Sequence, residues 1–271
     1  RPPTEHLAWL GDISEDAFIH HINRDVTERY IVVIDNGTIE VFDHETGAAL
    51  GVSYVTGDDA YLANGRFRAV TVADYTFIVN IDTEVTMQTE TDNSTADPNH
   101  CRWRNKNTSG ADIAGYNGYY PNIISGGSLQ YYPGVSAGSY AGELASVEKL
   151  PETAANGTLY KITGSAETGF TSYYVRRNGA VWDETRAPNL KNDIDSRTMP
   201  HCLVREEDGS FTFAPFSWAA RKVGDETTNP PPTFVGRTLR DVFFYQNRLG
   251  FLVDENVVFS CAGDFGNYWR N

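Results

Sequence analysis

The chain has 271 residues, of which 40% are hydrophobic and 13% aromatic, enough apolar surface to bury a sizeable core and to exclude disorder of the whole chain. Its 22 Lys and Arg stand against 36 Asp and Glu, a formal charge of -14, which argues against gripping nucleic acid through its phosphates. An acidic wall repels duplex DNA, which carries about one charge per 1.7 Å of axis, and lets it slide past.

Glycine and proline are scattered, and Val, Ile, Thr, Tyr and Phe recur in short runs, which predicts a mostly β protein. The clearest local signal is the pair of apolar runs at residues 30–35 and 38–43 around Asn36 and Gly37. Both turn residues tolerate positive φ, so this is a hairpin with a type I′ turn. The first run is apolar on both faces and is expected to be buried; Ile39 and Val41 alternate with Thr38, Glu40 and Phe42, as nearer an edge. Residues 43–47 read as another turn.

Residues 67–87 lie without gaps on residues 239–259, matching Arg68 to Arg240, Val70 to Val242, Asp82 to Asp254 and Val85 to Val257. Both copies read as strand, turn, strand, polar turn, strand. A repeated antiparallel meander of this kind is the material of a propeller blade. Between them, residues 92–143 are rich in Gly, Ser, Asn and Tyr, an inserted loop-rich or small β segment. Residues 139–150 predict a short helix ending before Pro151, residues 159–181 return to strand, and Asn229 with Pro230, Pro231 and Pro232 makes a stiff connector that no sheet interior accepts. The organisation expected is 1–91, a meander region; 92–158, the insert; and 159–271, a return to meanders.

Candidate chemistry is sparse. Gly134, Ser136 and Gly138 fit a nucleophile elbow, but no βαβ alternation supplies its sheet. His100 with Cys101 and His201 with Cys202 offer soft ligands, yet neighbours on a strand point to opposite faces and no metal-site spacing accompanies them. His20 with His21 is no better. Asp58 with Asp59, and Glu206, Glu207 and Asp208, read as solvated turns; glycosidase carboxylates must face each other across about 5 to 9 Å, and Asp208 with Gly209 reads as a hairpin turn. Trp103, Tyr116, Tyr119, Tyr120, Tyr131 and Tyr132 suit subunit contact or core better than sugar stacking. Cys101, Cys202 and Cys261 are an odd number at irregular spacing, expected as reduced thiols in a cytoplasm. No stretch approaches the roughly 20 apolar residues of a membrane span, and none of these residues reads as a basic n-region followed by an apolar h-region. Asn36, Asn93, Asn107 and Asn156 begin Asn-x-Ser/Thr triplets that matter only in a secreted eukaryotic protein.

Residues 234–260, FVGRTLRDVFFYQNRLGFLVDENVVFS, followed by Ala262, Gly263, Asp264, Phe265, Tyr268 and Trp269, closely resemble the signature of the tail tubular (nozzle) proteins of short-tailed bacteriophages. Upstream, the runs at 182–185, 198–201, 203–205 and 221–225, with Asn229 and Pro230, resemble the same family in the same order, as do Arg1, Pro2, Tyr61, Leu62 and residues 71–80. The resemblance covers residues 1–87 and 147–271, and in the family the chain is expected to begin before Arg1 and to continue past Trp269. It implies a structural virion protein of the tail, assembled in the host cytoplasm as a ring of six beneath the portal and adaptor ring. Tail fibres are neighbours and DNA passes through without specific binding. It implies propeller-like β domains, no catalytic residues, no cofactor and no metal. Arg240, Asp241, Asn247, Arg248, Asp254 and Asn256 are then structural residues that set turn geometry by hydrogen bonding, with Arg248 expected on a carboxylate. The competing readings are a tail-associated hydrolase acting on host polysaccharide or peptidoglycan, and a secreted carbohydrate-binding β domain.

Overall fold

A computed structural model describes residues 6–54, 58–88, 102–106, 128–132, 140–164, 172–187 and 190–270, with the backbone alone for 58–59, 102–106, 128–132 and 140. The elbow-like Gly134, Ser136 and Gly138, along with His100, Cys101, Tyr116, Tyr119 and Tyr120, lie outside the described residues. Chain contacts divide the molecule into two units. The first gathers Arg1–Thr86, Ile194–Ala219 and Pro232–Tyr268; the second gathers Met87–Asp193, Ala220–Pro231 and Trp269–Asn271.

The fold is mostly β. In chain order the strands are β1 (Phe18–Asn23), β2 (Arg29–Asp35), β3 (Thr38–Asp43), β4 (Ala49–Leu50), β5 (Val52–Tyr54), β6 (Phe67–Val72) and β7 (Tyr75–Asn80). Six belong to the second unit: β8 (Arg102–Lys106), β9 (Ser128–Tyr132), β10 (Tyr140–Leu144), β11 (Leu159–Ile162), β12 (Tyr173–Asn178) and β13 (Val181–Thr185). The first unit resumes with β14 (His201–Arg205), β15 (Phe211–Pro215), β16 (Asp241–Tyr245), β17 (Arg248–Val253) and β18 (Asn256–Phe259).

In the first unit β1-β2-β3-β4 form an antiparallel meander, β5-β15-β14-β7-β6 a mixed sheet and β16-β17-β18 a second meander. The expected hairpin is present: β2 and β3 pair from Tyr30 with Asp43 to Asp35 with Thr38, and Asn36 and Gly37 sit at φ 48° and 81°, as a type I′ turn requires. β3 is less of an edge than its alternation suggests, because β4 covers it at Val41 and Phe42. Between the first two sheets Val32, Ile34, Ile39 and Val41 pack against Phe67, Ile78, Leu203, Phe211 and Phe213 in one core. The opposite face of β7 carries Phe77, whose ring meets Phe216 at 5.0 Å and Phe265 at 6.4 Å, and Phe265 in turn meets Phe244 of β16 at 5.2 Å. β7 is therefore buried on both faces, which explains its unbroken run Phe77, Ile78, Val79.

The two copies of the repeat fold differently. Residues 239–259 form the complete three-stranded meander. In the first copy β6 and β7 form the hairpin, but after Asp82 only a single bridge, Glu84 to Thr238, replaces the third strand. The reason is topological: β7 is paired to β6 on one side and to β14 on the other, so a third consecutive strand has no edge to join. The chain instead runs alongside the segment ahead of β16, where the Val85 amide donates to the Arg237 carbonyl at 2.9 Å and the Gly236 amide to the Val85 carbonyl at 2.7 Å.

In the second unit β10-β11-β12-β13 form one sheet and β8 pairs with β9. The predicted helix at 139–150 is corrected to the strand β10 and a 3-10 turn at Val147–Lys149. Gly142 at φ +118° breaks any helix there, and β10 satisfies its backbone by pairing parallel with β11. Together with the parallel pair β5 and β15, this makes the architecture mixed rather than purely antiparallel. The proline-rich connector lies outside every strand, as expected.

Candidate functional site

The six family-motif residues all fall on the meander β16-β17-β18 or its approach. Gln246 and Asn247, at φ 47° and 58°, make the tight turn between β16 and β17, and Asp254, at φ 46°, makes the next. The Asn247 carbonyl accepts the Gly263 amide at 2.8 Å and so ties the chain after β18 to this turn. Asp241 accepts the Val242 amide at 2.9 Å, while the Arg240 amide donates to the Leu252 carbonyl at 2.8 Å and closes the ladder. Asn256 opens β18 and is exposed. Arg248 departs from expectation: its Nη1 donates to the Ser260 backbone carbonyl at 3.4 Å, not to a carboxylate. Register explains this, since the Ser260 amide donates to the Leu249 carbonyl at 2.9 Å and draws that backbone alongside β17.

The carboxylate pairing at this turn is made by other arginines. Arg237 Nη1 donates to Asp254 at 2.8 Å, and Arg240 Nε lies 3.9 Å from the same carboxylate. The first copy of the repeat carries a counterpart, in which Arg66 donates to Asp82 through its amide at 2.9 Å and its Nη2 at 2.8 Å. Hydrogen bonds from Arg66 hold the Asp82 carboxyl below its usual range. In both copies an arginine ahead of the first strand clamps the aspartate that turns the chain after the second. These pairs are exposed, so they set geometry more than they add stability.

A group of buried polar side chains was not legible in the sequence. Asn80, at the end of β7, is buried: its amide donates to Tyr61 Oη at 2.8 Å, its Nδ2 to the carbonyls of Tyr61 and Asn64 at 3.0 and 2.7 Å, and its Oδ1 accepts from the Asp82 amide at 3.0 Å. Gly65, at φ +135°, passes so close that a Cβ there would lie 2.2 Å from Asn80 Oδ1. Tyr61 stacks on His201 with ring centroids 4.0 Å apart, and His201 lies 5.4 Å from Phe213. His201 Nδ1 donates to the Met199 carbonyl at 3.0 Å, so this nitrogen carries the proton of a neutral ring. Burial lowers the His201 pKa to about 4 and pushes the Tyr61 phenol up. Its neighbour Cys202 is a buried free thiol, pushed up to about 12 by the same cause. His201 and Cys202 thus serve stacking and packing on β14.

Of the acidic clusters, Asp58 and Asp59 open a 3-10 helix at Asp58–Leu62, and Asp208 lies in a turn. Asp208 accepts the Ser210 amide at 2.9 Å and hydroxyl at 2.6 Å in the hairpin between β14 and β15. Asp43 accepts the Thr46 amide at 2.8 Å and hydroxyl at 2.7 Å, Asp25 the Thr27 and Glu28 amides at 2.7 Å each, and Asp225 those of Thr227 and Thr228 at 2.9 Å each. These four aspartates therefore serve turn geometry. In the second unit two arginines are fully buried. Arg186 Nη1 donates to the Arg221 carbonyl at 2.6 Å; Arg221 pairs with Glu226 at 3.0 Å and lies 4.8 Å from the centroid of the Trp269 ring. Among the described residues no cluster of three or more His, Cys, Asp or Glu is placed to hold a metal, and no helix is long and apolar enough to cross a membrane.

Comparison with known proteins places these features in one family. The bacteriophage nozzle protein family matches residues 1–112 and 130–271, which corrects the narrower limits of 87 and 147 drawn from motifs alone and extends the likeness into the insert. Tail tubular protein gp12 of Escherichia phage T7 is 34% identical over 336 residues, covering 99% of this chain and 42% of the phage T7 protein. The chain therefore spans less than half the length of that relative, and on the extent of the family match it belongs to the bacteriophage nozzle proteins.

Proposed function

We propose that this chain is a structural part of a short phage tail, forming with its copies a ring of six that extends the tube through which DNA leaves the capsid. The family match across residues 1–112 and 130–271 carries this reading. Three further observations support it. In the first unit β7 packs on one face against the first meander and on the other, through Phe77, Phe216 and Phe265, towards β16, contacts compatible with neighbouring blades of a propeller-like domain. The same arginine-to-aspartate clamp recurs at both copies of the repeat. The chain's charge of -14 suits a wall past which DNA slides without being held. The adaptor ring and the tail fibres are the expected neighbours in the virion. No catalytic role is assigned to any residue. Asp208, one of the carboxylates a hydrolase reading would draw on, is engaged in a hairpin turn.

Negative-stain imaging and mass measurement of the purified chain test the assembly. Six-fold rings with a central bore are the expected result; a monodisperse monomer at every concentration tried would count against it. Release of reducing sugar from host polysaccharide, abolished by Asp or Glu substitutions, would replace the structural reading with the hydrolase one.

A further inference from the structure

The second unit contains a cleft of about 660 Å³, within the range of small-ligand sites. One wall is a face of the sheet. Tyr173, Val175 and Arg177 alternate along β12, and Trp182 and Glu184 stand opposite Arg177 and Val175 on β13, so all five share that face. The other wall is the segment carrying Val147, Leu150, Pro151 and Glu152, fastened to the sheet where Arg177 Nη2 donates to the Glu152 carbonyl at 3.0 Å. Trp182 is held in place by Tyr160, edge-on at 5.7 Å, and by the Arg177 guanidinium at 5.5 Å from its centroid. Arg177 Nε is sealed from solvent beneath this contact, so the guanidinium serves to fasten the two walls together.

We propose that this cleft binds a neutral saccharide. Its chemistry fits that class: Trp182 with the apolar Val147, Leu150, Pro151 and Val175 for the C–H faces of a pyranose, and two carboxylates, Glu152 and Glu184, to accept from hydroxyls. The two carboxylates against one guanidinium disfavour acidic sugars. On the proposed function, a saccharide site in a virion tail protein would give the particle a weak contact to carbohydrate on a cell surface.

Saturation-transfer NMR and calorimetry on the intact chain test this with maltoheptaose and chitotetraose as neutral probes and a sulfated oligosaccharide as the acidic control. Binding of a neutral probe in the micromolar to millimolar range is expected, with a tenfold or greater loss for Glu184→Gln, an exposed position whose change leaves the fold intact, and complete loss for Trp182→Ala. Absence of binding by both neutral probes would overturn the proposal, as would equal binding of the acidic probe or an affinity unmoved by Glu184→Gln. These outcomes are independent of ring formation, so the site can fail while the tail assignment stands, and the reverse.

Discussion

His201 makes the stability of the first unit depend on pH in a window that can be worked out in advance. A free imidazole titrates at 6.5, whereas this one, buried between Tyr61 and Phe213, titrates at about 4. Between those values the unfolded chain binds a proton that the folded chain excludes, so stability falls as the pH drops below about 6.5 and stops falling through this group below about 4. At about 1.4 kcal/mol per pH unit the whole loss is about 3 kcal/mol, and roughly 2 kcal/mol of it falls between about pH 7 and pH 5. His20, whose pKa burial and then His21 also lower, adds a loss of the same sign, so the contribution of His201 must be taken as a difference between proteins. His201→Phe keeps a ring in the stack and removes the titration. Urea unfolding of both proteins at the two pH values should show a pH dependence smaller in the variant by about 2 kcal/mol. Equal pH dependence would refute the neutral, buried state assigned to this ring.

Gly65→Ala forces a Cβ into Asn80 at a backbone φ of +135° and should cost about 2 to 4 kcal/mol in thermal or urea unfolding. Tyr61→Phe removes the acceptor of the Asn80 amide and should cost about 1 to 3 kcal/mol, as for a buried donor left without a partner; a neutral result would mean water replaces the phenol. Cys202, buried and titrating near 12, should resist a disulfide-exchange reagent in the folded protein and react at once in denaturant. Arg248→Ala loses one long contact to a backbone carbonyl and should change stability by less than about 1 kcal/mol, with ring formation unaffected.

Local structure was legible in the residues wherever the chain's own neighbours decide it. Asn36 with Gly37 and Asp208 with Gly209 specify hairpins because the turn geometry admits few residues, and the run 239–259 specifies a meander because each strand pairs with the next one in sequence. Family membership was legible for the same reason, since its motifs are contiguous. Contacts between distant segments were not. Residues 67–87 carry nearly the same signal as residues 239–259, yet their third strand is displaced because β14, more than a hundred residues later, takes the edge of β7. The helix expected at 139–150 gave way to β10 once β11 offered it a ladder. Asn80, Tyr61 and His201, and Arg186 with Arg221, look like ordinary polar residues in sequence. Only tertiary burial, which removes water and makes every unsatisfied donor costly, turns them into the positions where one substitution matters most.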